Sequence, residues 1–367
     1  CSPSRAALMT GKTPARLNFE FVTKWRKDVM PTGGPRKLDP PPYTYNLPLE
    51  ERTIAEALRD AGYRTGMAGK WHLNTHHETY LGWSPKFGPL QQGFEWGRET
   101  FGGHPWAFRG ADDPYEALRD GEYAPDSLTD DAIEFMSQGG DRPFFLYVAY
   151  PYVHTPVRPR GRWLAEKYRE KLGVAATENQ VLYGGFVETL DHHVGRLVEA
   201  VDRLGLTGET LIVFTSDNGG HPEYAVNAPL RGSKWNLYEG GVRVPLIVRW
   251  PGEVEAGVRS GAPVSGTDWF ATLVEAAGAA DEAPDSMSLL DLLRGGSEEP
   301  FEQRELIFHF PYYHPEKGFE EMPPEIGVAD GFVSQTRPVS AIRVGREKLL
   351  YFWEDGRTET YLSLIHI

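Results

Sequence analysis

The chain has 367 residues, enough for one large domain with a small companion, and its 40% hydrophobic and 25% charged content is that of a globular protein with a sizeable core. With 38 Lys and Arg against 52 Asp and Glu, the formal net charge of −14 argues against nucleic-acid binding, which selects basic surfaces, and obliges an anionic substrate to find a local basic pocket. A single cysteine excludes an internal disulfide, and no apolar run reaches membrane-spanning length. Along the chain, "CSPSR" opens with that cysteine, Cys1, and leads into a helix-like run from Ala6 to Thr10 closed by Gly11. Residues 31–48, rich in Pro and Gly, read as a long loop. In "TIAEALRDAG", Thr53 and Glu56 form a capping-box pair, Ile54, Ala57, Leu58 and Ala61 make one apolar face, and Gly62 ends the helix.

"GYRTGMAGKWHLN" reads as a strand and turn, and residues 143–150, 210–220 and 244–252 read as buried strands. Between the first two of these, Leu190, Val194, Leu197, Val198, Val201 and Leu204 recur at the spacing of a crossover helix, and residues 267–278 form another helix. From Phe301 the texture turns aromatic and Pro-rich, and "AIRVGREKLLYFWEDGRTETY" reads as paired strands around the Asp355-Gly356 turn. The alternation predicts an α/β sheet covered on both faces, over residues 1–300, with a small antiparallel domain over 301–361. "LSLIHI" at 362–367 resembles a translated sequencing adapter and is expected to be a non-native tail.

Taken singly, the polar residues in these stretches are unremarkable: Cys1 as a small buried hydrophobe, Lys70 and Lys234 as surface lysines, His72 as structural, Asp217-Asn218-Gly219 as a hairpin turn. Their context points elsewhere. The run before "SDNGG" is too apolar for an exposed hairpin, and open α/β sheets bind ligands beyond the carboxyl ends of their strands. Asp217 and Asn218 fall at such an end, as does His154 after the 143–150 strand.

"CSPSRAALMTGK" matches the C-x-P-S-R-x-x-L-x-T-G signature of the type I sulfatases, and the chain resembles that family from Cys1 nearly to Tyr361. The resemblance implies an alkaline-phosphatase-like fold, with a mixed central sheet flanked by helices and a small C-terminal antiparallel sheet domain. It implies that Cys1 is oxidised to formylglycine by a maturation enzyme. The hydrated aldehyde offers one hydroxyl to attack sulfur and a second to expel sulfate, which a serine would lack. Arg5 would hold the modified side chain, with the helix N-terminus favouring an anion there. "GYRTGMAGKWHLN" resembles the family segment in which Lys70 contacts sulfate and His72 accepts a proton from the diol; residues two apart on an extended segment face the same way. By the same resemblance Asp217 and Asn218, with the modified Cys1, are ligands of Ca2+, a hard cation suited to oxygen donors. His154 contacts sulfate and protonates the departing alcohol, and Lys234, in "PLRGSKWNLYEGGVRVP", is the second substrate lysine.

His192 and His193 read as solvated positions of the crossover helix, and His76 and His77 as loop residues. His221 follows the Asp217-Asn218 turn and is a candidate to approach substrate. In "HFPYYHP", His309, Tyr313 and His314 either line a sugar-binding cleft or pack between the two domains. The expected activity is hydrolysis of a sulfate monoester on a small molecule or glycan, most like bacterial enzymes of sulfated carbohydrates, in the periplasm or outside the cell. A phosphate or phosphonate ester hydrolase of the same superfamily, or a non-catalytic glycan-binding protein with Cys1 unconverted, are the alternatives. The family draws two further aspartates from an N-terminal strand not found here, so the chain as it stands is expected to be inactive, with an incomplete calcium site.

Overall fold

The computed structural model describes residues 1–23, 37–99, 118–157, 160–313 and 337–362. Helix α1 (Ser2–Thr10) begins earlier than its apolar run suggests, because a Pro in the first helical turn has no N–H to leave unpaired. It ends at Gly11, whose φ of 63° admits a left-handed cap; a Cβ there would lie 2.7 Å from that of Phe270. Helix α2 (Ile54–Asp60) carries the capping box read from sequence: Thr53 Oγ1 accepts the Glu56 N–H at 3.1 Å, and the Glu56 carboxylate accepts the Thr53 N–H at 3.0 Å.

Strands β1 (Arg64–Gly69), β2 (Trp96–Arg98) and β3 (Phe144–Ala149) form a parallel sheet in the order β2-β1-β3. Helices α3 (Ser127–Ser137), α4 (Arg162–Leu172) and α5 (Glu178–Arg203) fall between β2 and the next pair, β4 (Ile212–Thr215) and β5 (Leu246–Arg249), which are antiparallel. Among the described residues these strands make two hydrogen-bonded groups, yet both groups share the same covers. Phe145, Val213 and Val248 pack under α2 and α7 (Asp268–Ala276), with Ile54, Leu58, Trp269 and Phe270. Phe144, Leu146 and Ile212 pack on the other face with Met136, Ala200 and Val201 of α3 and α5. The result is a helix–sheet–helix layering with period-2 alternation dividing each strand between two cores.

Helix α5 starts at Glu178 behind a second capping box, Thr177 with Gln180, well before the apolar repeat at Leu190. The expectation that His193 is solvated is wrong. His193 shares a stripe with Phe186, Thr189 and Ala200, is buried, and donates from Nε2 to the Ala124 carbonyl at 2.9 Å. Burial, with His192 and Arg196 nearby, lowers its pKa to about 4. His192 stacks on Tyr123 at 4.1 Å.

Short helices α6 (Glu239–Val242), α8 (Leu290–Leu293) and α9 (Glu299–Gln303) accompany the remaining turns. The C-terminal sheet is antiparallel and four-stranded: β6 (Glu305–Phe310), β7 (Val339–Val344), β8 (Glu347–Phe352) and β9 (Thr358–Leu362), paired in sequence order. Besides the expected turn at Asp355-Gly356 there is a tighter one between β7 and β8, where Gly345 has a φ of 52°. Leu362, the first residue of the expected tail, pairs with Glu347; residues 363–367 lie outside the described residues.

Candidate active site

Carboxyl-terminal strand ends and the start of α1 bring the charged residues together. At the end of β1, Gly69 takes a φ of 108°, and a Cβ on it would lie 2.2 Å from the Ala149 carbonyl oxygen. That close approach lets the Lys70 N–H reach the same oxygen at 2.9 Å and aims Lys70 at Cys1. Lys70 Nζ lies 3.4 Å from Cys1 Sγ, and Asn218 Oδ1, from the turn after β4, lies 3.4 Å from the same sulfur. Here Sγ occupies the place of the oxygens that a formylglycine hydrate would carry. Arg5 is buried one turn along α1; its Nε donates to Asp217 Oδ2 at 3.0 Å, and its NH1 donates to the Lys70 carbonyl and to the Tyr147 hydroxyl. Burial would raise the Asp217 pKa, but Arg5, with Lys70 and Lys234, holds it far below the carboxylate range.

Lys234 reaches this group through glycines. A Cβ on Gly219 would sit 1.8 Å from the Gly240 carbonyl oxygen, so the 231–243 segment presses directly on the turn after β4. The Lys234 N–H donates to the Gly220 carbonyl at 2.9 Å, and Lys234 Nζ donates to His154 Nε2 at 3.1 Å. His154 Nδ1 lies 2.7 Å from the Thr155 carbonyl, which can only accept. The His154 proton is therefore on Nδ1, and the proton shared with Lys234 rests on lysine.

His72 follows Lys70 by two residues, but the chain is not extended there: His72 has a φ of 58°. The alternation argument for a common direction therefore does not apply, and tertiary contacts orient it instead. Thr23 clamps His72 twice, donating from Oγ1 to its carbonyl at 3.4 Å and accepting from its Nε2 at 3.2 Å. The Thr23 N–H donates in turn to Ser2 Oγ at 3.2 Å. This leaves His72 Nδ1 a buried lone pair without a hydrogen-bond partner among the described residues. Burial, then Lys70, with His76 and Arg5 adding to it, hold the His72 pKa well below its ordinary value, so the ring is neutral. His76, expected in a loop, is buried between His72 and Tyr80, at 5.7 and 4.9 Å.

The remaining candidates divide. His221 is buried beside Lys234, with burial and that lysine lowering its pKa to about 4. His309 on β6 bonds through Nδ1 to Ser340 Oγ at 2.7 Å, within the C-terminal sheet. Tyr313 accepts the N–H groups of Lys37 and Leu38, each at 3.1 Å, and donates to Glu354 at 2.7 Å, a packing arrangement. His314 lies outside the described residues. Tyr147 and Thr23 were not singled out by sequence reasoning; only the alternation of the 143–150 strand bears on Tyr147, and nothing local marks Thr23.

A calcium ion takes roughly 6–8 oxygen ligands. Asp217 and Asn218 offer one carboxylate, already bonded to Arg5, and one amide oxygen, already beside Sγ. Among the described residues no group of three or more His, Cys, Asp and Glu is arranged to hold a metal ion. The residues present do not fit a calcium shell by themselves.

These features gather Arg5, Lys70 and Lys234 beside the start of helix α1 and the turn after β4, a cationic group in an α/β fold that suits an anion. The chain belongs to the sulfatase family: the family model "Sulfatase" matches residues 1–279, and "N-sulphoglucosamine sulphohydrolase, C-terminal" matches 233–330. Arylsulfatase A of Homo sapiens is 32% identical over 394 residues, covering 96% of this chain and 65% of that protein. The N-acetylgalactosamine-6-sulfatase of Canis lupus familiaris is 31% identical over 332 residues, covering 81% of this chain and 57% of that protein. The chain thus spans less than two thirds of the length of these relatives. A crystal structure of Ps i-CgsB in complex with k-i-k-neocarrahexaose superposes with a TM-score of 0.72 at 25% identity, covering 98% of this chain and 75% of that one.

Proposed function

We propose that the chain forms the sulfate-binding core of an enzyme that hydrolyses a sulfate monoester on a carbohydrate, with Cys1 converted to formylglycine by a maturation enzyme. The observation that carries this reading is the pair of contacts at Cys1 Sγ, Lys70 Nζ and Asn218 Oδ1 each at 3.4 Å. The carbohydrate part is supported by the N-acetylgalactosamine-6-sulfatase relative and by the oligosaccharide-bound structural neighbour.

The converted residue supplies an oxygen nucleophile for sulfur and a second hydroxyl whose deprotonation releases sulfate. Lys70 and Lys234 offset the charge on the sulfate oxygens, in a buried setting where such interactions are stronger than in water. The departing alcohol takes its proton from the Lys234–His154 pair. His72 accepts, at Nδ1, the proton lost when sulfate leaves, and the Thr23 carbonyl keeps that nitrogen unprotonated beforehand. Asp217 keeps Arg5 in place beneath the nucleophile. Asp217 and Asn218 would offer a calcium ion two of its oxygen donors.

The test is turnover of matched sulfate and phosphate esters by the full-length protein, after peptide mass spectrometry has established conversion of Cys1. Faster hydrolysis of the sulfate ester supports the reading. Preference for the phosphate ester makes the protein a phosphoester hydrolase, and glycan binding without turnover by a protein whose Cys1 stays a thiol makes it a binding protein.

A further inference from the structure

Among the described residues, Trp235 has the largest positive φ of any residue other than glycine, 83°. A bulky side chain in that region costs energy, and glycine would occupy the position without strain. Two hydrogen bonds of the turn, Asn236 N–H to the Ser233 carbonyl and Ser233 N–H to Asn236 Oδ1, each at 3.3 Å, do not involve the indole. What the indole does lie beside is the sulfate-binding end of the site. Its ring centroid is 5.7 Å from Lys234 Nζ, the ammonium that bonds His154, and 4.8 Å from the His221 ring, which meets it at 73°. Tyr224 continues the aromatic surface, 5.7 Å beyond His221.

We infer that Trp235 and His221 form a corner against which the pyranose ring carrying the sulfate stacks, so that Trp235 is a specificity-determining residue. The inference rests on the sulfatase reading above. An aromatic face adjoining the ammonium that binds the sulfate can be reached only by the ring bearing that sulfate or its immediate neighbour. An indole face offers apolar surface to the C–H bonds of a pyranose while leaving its hydroxyls to polar groups. A small hydrophobic body with a few convergent polar groups is also how small-ligand sites fix orientation.

The experiment compares the full-length, converted enzyme with Trp235→Gly and Trp235→Phe on a sulfated monosaccharide and on an aryl sulfate, together with inhibition by inorganic sulfate and thermal melting. Trp235→Gly is expected to melt no lower than wild type, because strain is relieved. Its KM for the sulfated sugar should rise by about 5–10-fold with kcat within about twofold, while Trp235→Phe recovers part of the loss. Inhibition by inorganic sulfate should stay unchanged, since Lys234 and Lys70 remain. An unchanged KM for the sugar overturns the inference. So does an equal weakening of inorganic sulfate, which would mean that Trp235 acts only through Lys234, or a larger loss on the aryl sulfate than on the sugar. A wild-type enzyme that turns over neither ester sinks the sulfatase reading itself, and this inference with it.

Discussion

Two ionic clusters of this protein, one buried and one partly buried, use the same residue types for different ends. In the first, Glu239 of α6 is wholly buried and binds Lys348 of β8 at 2.8 Å and Arg343 of β7 at 3.4 Å. Each cation meets a carboxylate, and the cluster ties the segment carrying Lys234 to the C-terminal sheet. In the second, Asp217 binds Arg5, while Lys70 and Lys234 direct their ammoniums to a sulfur and an imidazole nitrogen. In the first cluster each cation meets a carboxylate and the group acts as a rivet; on the function proposed above, the second acts as a receptor for the sulfate anion.

The largest effect that sharpens this contrast comes from Lys70→Met. It should lower kcat/KM of the full-length enzyme by about a thousandfold, in line with loss of one preorganised charge in a buried site. Its melting temperature should not fall, because one of several like charges has been removed. Steady-state kinetics and a thermal melt on one preparation check both halves. Next is Lys348→Met, which removes the 2.8 Å partner of the buried Glu239 carboxylate. Stability should fall by roughly 3 kcal/mol, read from urea unfolding, and Lys348→Met combined with Glu239→Leu should regain most of it. If Lys70→Met proved the destabilising variant and Lys348→Met the inactive one, the contrast would be reversed.

A smaller effect follows from His193, which is neither rivet nor receptor. Its pKa is lowered from 6.5 to about 4 by burial, with His192 and Arg196 adding to the effect. Between those values the unfolded chain binds more protons than the folded one. Stability from this group is therefore complete above about pH 6.5 and is lost as the pH falls toward 4, at no more than ~1.4 kcal/mol per pH unit. His193→Gln keeps a donor for the Ala124 carbonyl and should flatten the acid limb of the stability–pH curve by about one proton. An unchanged slope would assign the acid sensitivity to other groups, His221 first among them.

Much of this site was legible as pattern. The residues around Cys1, Lys70, Asp217 and Lys234 sit in contiguous motifs, and the strands leading to them are apolar runs. What could not be read is whatever depends on contact between distant segments. Thr23 has no motif, and its grip on His72 exists only because the chain folds back past α1. The alternation argument at Lys70 and His72 failed because a left-handed residue interrupts the extended segment. His193 is a different case, since Phe186, Thr189 and Ala200 mark its stripe and the 3.6-residue period extended back from Leu190 would have placed it inside. The C-terminal sheet was recognised from its last hairpin, but the pairing of β6 with β7 spans residues 314–336, across which no local signal links the two strands.

The central claim is that sulfate is transferred to position 1, and the measurement closest to it uses Cys1→Ser in the full-length protein. A hydroxyl there can take the sulfate but has no second hydroxyl to release it. After incubation with a sulfate ester, the peptide containing position 1 should carry one added SO3 group by mass spectrometry, with release of alcohol stopping at about one equivalent per enzyme. An unmodified peptide beside continued turnover, or the added group on any other residue, would contradict the account.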